Sequence, residues 1–435
     1  MSAAGRSAPD EGGATQQPPG IVSAIAEVAG SAAVEAAWAR TEAAAMAMAD
    51  PADNRPPVAL VTGHWGDGHE EVVATTRLFA GALARHARVQ VLHLVPDDPG
   101  RPAARPVEAD SIFPVHHLPV AGARPLLAGV VHAALGEAGA RRPPAAARPL
   151  LRRLAGRSPG LEEALADTAP GHVVLVGHRL PLDPASLGRR SAPGATRVVA
   201  LPCTASTAHL ADGPLAALLE RADAIAYLHP GERHALQALG HDRLVPLDLA
   251  LPLNRRAVVH PLFGVSFFAP YVLLLRSFPP GGARFRRSLT HELAIRRLGR
   301  SAAEVDGDRW RVSDAEGTLP LPVTPTRVNL WRLMAHAELT IDLRPAGPLG
   351  REALESMLLG TPVVVPEGSA AMAHVEAAGG GLWYRDLREL VDAAQALLDP
   401  ALRARMGAQG ATYAAAHHSG MDDFVERVGA LVLGP

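Results

Sequence analysis

The strongest constraint on the fold is an alternation of short apolar runs with amphipathic segments, which starts at Val58 and occurs in two successive series. The run Val58–Val61 breaks at Gly63, as expected of a buried parallel strand. Apolar or small side chains then recur every three or four residues on one predicted helix face, at Val72, Thr76, Phe79, Leu83 and Ala87. The strand predicted next, Val89–Val95, completes the repeating unit of a parallel α/β sheet.

Two series of such units predict two doubly wound, Rossmann-like parallel sheets that face each other. Further strands of the first series are predicted at Val173–Val176, Val198–Leu201 and Ala224–Leu228. The second series has predicted strands at Tyr271–Leu275, Leu339–Leu343 and Thr361–Val365, with helices at Thr326–His336, Glu352–Leu359 and Leu387–Leu398. Because ligands of doubly wound sheets bind at the carboxyl ends of the strands, we expect the site in the cleft between the two sheets.

Composition shifts along the chain predict the domain organisation. Residues 1–55 are expected to be a disordered amino terminus followed by an alanine-rich helix, and residues 56–255 an α/β domain in which 97–160 form helices and loops. Residues 256–400 are expected to be the second α/β domain, and 401–435 a helix that packs back across both. The amino terminus lacks the pattern of a signal peptide, which favours the cytoplasm.

The basic residues exclude several enzyme classes. All 42 are arginine, so the chain has no lysine for a Schiff base, a P-loop or a protein-kinase site. The net charge of −2 argues against nucleic-acid binding. Cys203 is the single cysteine, which excludes an internal disulfide and a multi-cysteine zinc site, and no H-E-x-x-H motif is present.

A glycine-rich loop follows the first predicted strand. Gly66, Gly68 and His69 lie between that strand and the first helix, where glycines let backbone amides approach a ligand. The spacing G-x-x-G-x-G differs from the dinucleotide-binding fingerprint, which leaves a nicotinamide dehydrogenase with Asp97 as ribose acid a weak alternative. A ligand-facing loop is favoured over a simple tight turn because of its position in the topology.

A second constellation runs from Asp342 to Val365 as strand, glycine- and proline-rich loop, helix, turn and strand. Gly350 and Arg351 are predicted at the helix amino terminus, where free amides can hold a phosphate or a sugar hydroxyl. Glu355 lies one turn further on, and a carboxylate there can accept paired hydrogen bonds from vicinal hydroxyls such as those of a ribose.

This constellation resembles the carboxy-terminal signature of the large retaining GT-B glycosyltransferase family that uses nucleotide sugars. The matching segments are Leu354-Glu355-Ser356-Met357 and Gly360-Thr361-Pro362-Val363-Val364. The resemblance is strong in these segments and, by order and spacing, spans roughly residues 58–433. It implies a GT-B fold, transfer with retention of anomeric configuration, and no cofactor or essential metal.

The resemblance also implies roles for individual residues. Glu355 would contact the donor ribose and Arg276 would grip the diphosphate, as the two catalytic residues. The family's lysine and the first glutamate of its Glu-x7-Glu pair fall at Gly281 and Gly347. The remaining donor-binding candidates are Gly350, Arg351, Glu352, Arg344 and Thr361, and Arg284 is a third arginine, beside Arg344 and Arg351, that could replace the missing cation.

The sequence therefore predicts a glycosyltransferase with a nucleotide-sugar donor and an unidentified acceptor. Gly281 and Gly347 motivate the alternative of a GT-B protein that binds a nucleotide sugar or a protein partner without transfer. An acid-free run of arginines is interpreted as a solvated linker, with a peripheral membrane contact to anionic lipid head groups, or a contact to a phosphorylated acceptor, as the less favoured alternative. This run consists of Arg141, Arg142, Arg148, Arg152, Arg153 and Arg157.

Overall fold

The structure is a computed structural model of the 435-residue chain. It describes residues 54–63, 71–96, 115–120, 159–178, 180, 187, 196–204, 210–211, 213–253, 258–262, 265, 270–276, 291–306, 309–321, 323, 326–344, 349–418 and 420–434.

The amino-terminal half is built on a seven-stranded sheet in the order β3-β2-β1-β4-β5-β6-β7, with every pair parallel. Its strands are β1 Pro57–Thr62, β2 Arg88–Pro96, β3 Val115–Val120, β4 His172–Val176, β5 Arg197–Leu201, β6 Ala224–Tyr227 and β7 Leu244–Pro246. Its helices are α1 Glu71–Leu83, α2 Pro159–Thr168, α3 Gly213–Arg221 and α4 Pro230–Ala238. Parallel strands need crossover connections, which these helices provide.

The carboxy-terminal half is a second seven-stranded sheet, in the order β11-β10-β9-β8-β12-β13-β14. Its strands are β8 Tyr271–Arg276, β9 Ser301–Asp306, β10 Arg309–Ser313, β11 Thr318–Pro320, β12 Thr340–Asp342, β13 Val363–Pro366 and β14 Gly381–Tyr384. Its helices are α5 Arg327–His336, α6 Arg351–Leu358, α7 Ala370–Ala378, α8 Leu387–Ala396, α9 Pro400–His418 and α10 Met421–Leu433, together with a π-helical segment at His291–Arg297.

Burial explains why the central strands form as the sequence predicts. Val58, Ala59, Leu60 and Val61 of β1 are all at most 1% exposed, since helices cover both faces of the sheet. In the parallel register, Leu60 pairs with Val91 of β2 on one side and with Val174 of β4 on the other. Alternate side chains thus enter two separate cores on the two faces.

The structure corrects the sequence prediction in both sheets. Residues 97–160 were expected to form helices and loops, but Val115–Val120 is a strand at the sheet edge. Its histidines and Pro119 hide the apolar signal, and an edge strand tolerates proline. In the second half, β9–β10 and β10–β11 pair antiparallel, so this sheet is mostly rather than wholly parallel.

The last two helices pack against both halves. The stretch predicted as one terminal helix is two helices, α9 and α10. Phe424 and Val428 of α10 lie in the same core cluster as Phe79 and Leu83 of α1. In α9, a Cβ added to Gly407 would stand 2.2 Å from the Gly360 carbonyl oxygen, so glycine permits this close approach.

Candidate functional site

The carboxyl end of the second sheet carries charged side chains from neighbouring elements. Strand β12 ends in Asp342, α5 begins at Arg327 and α6 begins at Arg351. Thr326 fixes the start of α5, because its hydroxyl accepts a hydrogen bond from the Asn329 N–H at 3.2 Å. We call the set formed by Arg327, Asp342, Arg344, Arg351, Glu352 and Glu355 the charge cluster.

Arg327 joins the two glutamates of α6. Its Nη1 donates to Glu352 Oε1 at 2.8 Å, and its Nε donates to Glu355 Oε1 at 3.1 Å. Arg351 Nε also donates to Glu355 Oε1, at 3.0 Å. The Glu355 side chain is 0% exposed, and each of its oxygens lies at ion-pair distance from a guanidinium, Oε1 at 3.0 Å from Arg351 Nε and Oε2 at 2.5 Å from Arg327 Nη2. A ribose could reach this carboxylate only after the cluster rearranges, and its predicted role stays a prediction.

Arg344 forms the second branch of the charge cluster. It binds Asp342 through two hydrogen bonds, Nε to Oδ1 at 2.8 Å and Nη2 to Oδ2 at 2.7 Å. Its Nη2 also reaches Glu352 Oε2 at 3.2 Å. Burial favours the neutral carboxylic acid, but the Arg344 and Arg327 guanidiniums prevail and hold the pKa of Glu352 well below its usual range.

Glu71, the first residue of α1, brings the amino-terminal half to this site. Its Oε2 accepts a hydrogen bond from the Leu349 N–H at 3.1 Å, and its Oε1 accepts one from the Arg351 N–H. Burial and the Glu352 carboxylate raise the pKa of Glu71 to about 7, against the opposing effects of Arg344 and the two amides. Sequence reasoning missed this residue, although it follows the glycine-rich loop directly.

The turn before α6 is set by close packing. Gly350 has φ +66°, and a Cβ there would lie 2.7 Å from the Ala371 backbone. The buried His374, one turn into α7, contacts the Leu349 carbonyl at 3.2 Å through Nε2 and the Tyr413 hydroxyl at 3.3 Å through Nδ1. Burial and the neighbouring histidines hold the pKa of His374 well below 6.5, so the ring is neutral at pH 7.

Thr361 lies at the turn between α6 and β13. Its hydroxyl donates to the Met334 carbonyl at 2.7 Å, and its own carbonyl accepts from the Ser356 hydroxyl at 3.0 Å. Thr361 is 4% exposed. These contacts anchor the turn, and its predicted contact with the donor stays a prediction.

Other predicted site residues are described only in part. Arg276 ends β8, where its backbone is in register with Asp306 of β9. Gly66, Gly68, His69, Gly281, Arg284 and Gly347 lie outside the described residues.

The first sheet has a buried carboxylate of its own at the carboxyl ends of β5 and β6. Glu232 of α4 is 0% exposed and accepts hydrogen bonds from the Leu228 N–H at 2.8 Å and the Thr204 N–H at 3.0 Å. Burial prevails over these amides and raises the pKa of Glu232 to about 7. This glutamate satisfies the backbone where the two strands end.

Among the described residues, no three histidine, cysteine, aspartate or glutamate side chains converge as metal ligands would. Within the same part of the chain, each helix is too short or too polar to cross a bilayer.

Comparisons with known proteins identify the fold. No protein-family model matches the sequence, and no curated protein is significantly similar to it. A sucrose-phosphate synthase from Thermosynechococcus elongatus has a similar structure, with a TM-score of 0.55, 15% identity, and coverage of 87% of this chain and 98% of the other. The chain has the GT-B fold. The two facing αβ halves predicted from the sequence are thereby confirmed.

Two further similar structures support the same assignment of the fold. HepE of Anabaena in complex with UDP and glucose gives a TM-score of 0.52 at 13% identity, over 86% of this chain and 98% of that one. WaaG, a glycosyltransferase involved in lipopolysaccharide biosynthesis, gives 0.51 at 14% identity, over 87% of this chain and 100% of that one. At such identities the likeness establishes the GT-B fold, and the reaction has to be argued from the site.

Proposed function

We propose that the protein is a glycosyltransferase that moves a sugar from a nucleotide-sugar donor to an acceptor, with retention of anomeric configuration. One observation carries the proposal. In a GT-B fold, the segment that resembles the donor signature lies at the carboxyl end of the second sheet, where three arginines converge beside the first turn of α6. HepE, which has the same fold, was solved with UDP and glucose.

The donor would bind through the carboxy-terminal half. Arg276 and the amides at Gly350 and Arg351 would hold the diphosphate, and Glu355 the ribose. Arg344 and Glu352 would line the same subsite, while Thr361 would act through the turn that it anchors. Arginine suits this work because its planar guanidinium makes paired, charge-assisted hydrogen bonds to phosphate oxygens.

The chemistry would rest on charge stabilisation in a site that excludes water. Cations and helix-end amides would stabilise the departing nucleoside diphosphate without a metal or a cofactor. Gly66, Gly68 and His69 would line the acceptor side. We propose that the protein acts in the cytoplasm, with no nucleic-acid partner.

A thermal-shift experiment tests the donor site. UDP, GDP, ADP, TDP and their sugar conjugates are added to the protein, and a ligand at about 100 times its Kd should stabilise the fold by about 2.7 kcal/mol. We expect one base to raise the Tm by several degrees and E355Q to lose most of this shift. A Tm that none of the ligands changes would contradict the donor site.

The second candidate function is binding without transfer, and Gly281 and Gly347 favour it. At these positions the resemblance would place a lysine and a glutamate, so a cation for the diphosphate and a contact to the sugar are missing. The two functions differ in turnover. Release of free nucleotide from the stabilising donor, over many cycles per protein, would identify a transferase, whereas stoichiometric binding without release would identify a binding protein.

A further inference from the structure

The Glu71 carboxylate occupies the Arg351 amide, which the proposed function assigns to the donor diphosphate, together with the Leu349 amide on the other side of Gly350. We propose that Glu71 is an internal anion that fills the diphosphate subsite when no donor is bound, and that the donor must displace it. This inference rests on the proposed function and adds a competing residue to the same site.

The contact joins parts of the chain that are remote in sequence. Glu71 begins α1 of the amino-terminal half, and its two oxygens accept from Leu349 N–H and Arg351 N–H, 278 and 280 residues further along. It is therefore a contact across the cleft between the sheets and cannot be a local helix cap. Any motion that separates the halves at this point must break both hydrogen bonds.

The turn that contacts Glu71, residues 349–351, is shaped to bind an anion. Gly350 adopts φ +66° between Leu349 and Arg351, and the N–H groups of these two residues both point at the Glu71 carboxylate. Both amides also lie at the positive end of the α6 dipole. The Arg344 guanidinium adds an attractive charge that acts directly on Glu71. A carboxylate and a phosphate are recognised by the same chemistry here.

The surroundings make Glu71 a poor permanent occupant. Its carboxylate lies close enough to Glu352 for like-charge repulsion, and the two charges of Arg327 and Arg344 are already shared with Asp342, Glu352 and Glu355. Burial also disfavours its ionised form. The contrast is with Glu352, which makes direct ion pairs to two arginines and is held firmly as an anion. A diphosphate offers more negative charge to the same amides and returns Glu71 to water.

The competing interpretation is a fixed cross-link that merely stabilises the closed arrangement. The two interpretations predict opposite signs for one variant. If Glu71 competes with the donor, E71A frees the amides and strengthens nucleotide binding. If Glu71 is only a structural cross-link that shapes the site, E71A loosens the turn before α6 and weakens nucleotide binding.

The first measurement is amide hydrogen exchange of the protein without nucleotide, in wild type, E71A and the control E376A. Glu376 is an exposed residue of α7, the helix that packs on Gly350. We expect the Leu349 and Arg351 amides to lose protection by at least about tenfold in E71A alone. Unchanged protection of these two amides in E71A would overturn the proposal.

The second measurement is the affinity of the three proteins for UDP, GDP, ADP and TDP. We expect E71A to bind the preferred nucleotide at least about tenfold more tightly than wild type, and E376A to match wild type. If wild type binds a nucleotide and E71A binds it no more tightly, the internal-anion proposal fails while the proposed function stands. If no nucleotide binds even to a folded E71A, the proposed function fails and the inference fails with it.

Discussion

The two halves of the molecule neutralise their buried carboxylates by different means. In the carboxy-terminal half, Glu352 and Glu355 accept hydrogen bonds of 2.8 to 3.2 Å from arginine side chains. In the amino-terminal half, the partners of Glu232 among the described residues are the backbone N–H groups of Leu228 and Thr204. The pKa shifts follow this difference: that of Glu352 is lowered, whereas that of Glu232 is raised to about 7.

The comparison shows that burial alone does not decide how a carboxylate behaves. Two amides give a carboxylate good hydrogen bonds, but they carry no net charge, so desolvation still favours the protonated acid. A guanidinium supplies both hydrogen bonds and charge, and the ion persists. The environment of Glu71 is intermediate between the two cases. Its carboxylate is bound by backbone amides, as in Glu232, but the charge of Arg344 also acts on it, as in Glu352.

Removing the arginine that joins two carboxylates should have the largest effect. R327M leaves Glu352 with Arg344 and Glu355 with Arg351, but it removes one cation from a buried group of anions. We expect a loss of about 3 kcal/mol in the free energy of unfolding. Urea denaturation of R327M measures this loss.

The matched control for that variant is R388M, which changes an exposed arginine on α8. It should alter the free energy of unfolding by less than about 0.5 kcal/mol. If R327M proved as mild as R388M, the matching of carboxylates by arginine would not be what stabilises the second half.

Replacing Glu232, the carboxylate that is bound by backbone amides, should have a smaller effect on stability, and this effect should depend on pH. Because the pKa of Glu232 is about 7 in the folded state and near 4.5 otherwise, its protonated form contributes stability fully below pH 4.5, and this contribution is lost as the pH rises through 7. E232Q is neutral throughout, so its free energy of unfolding relative to wild type should rise by about 2 kcal/mol between pH 5 and pH 8.

Denaturation of wild type and E232Q at several pH values tests this difference. At pH 5 the variant should be less stable by about 1 kcal/mol, because an amide cannot accept both N–H groups equally well. A constant difference between the two proteins across this range would mean that Glu232 stays ionised, as Glu352 does.

The smallest effect is expected at the turn where the sequence predicted a donor contact. T361V keeps the shape of the side chain but removes the hydrogen bond to the Met334 carbonyl. We expect a loss of about 1 kcal/mol in stability and less than about a twofold change in nucleotide affinity. A large loss of affinity with unchanged stability would instead support direct contact between Thr361 and the donor.

Much of the fold could be predicted from the sequence, because the central parallel strands are short, continuous apolar runs. Tyr271–Leu275 and Val198–Leu201 show this clearly, since burial on both faces leaves little choice of residue. The edge strands Val115–Val120 and Thr318–Pro320, and the antiparallel pairing of β9 with β10 and of β10 with β11, escaped prediction. Edge strands are partly exposed and tolerate polar residues and proline, so their pattern resembles that of a loop.

The site was predictable in position but not in its contacts. The order strand, loop, helix and turn located α6 and its first-turn amides. The side chains that contact α6 and the turn before it come from distant segments. Glu71 accepts from the amides of that turn, and Arg327 donates to Glu355. Hydrogen bonds over such separations leave no periodic pattern in the sequence. Only the folded chain shows that the arginines are already engaged by carboxylates.

The packing of α10 against α1 has a consequence for synthesis of the protein on the ribosome. Phe79 and Leu83 emerge long before Phe424 and Val428 of α10, which lie in the same core. The amino-terminal half therefore leaves the exit tunnel without the α10 side chains of this core, and that part of its apolar face stays uncovered until α10 has been synthesised. During that interval the nascent chain is a natural client for chaperones that bind exposed apolar surface.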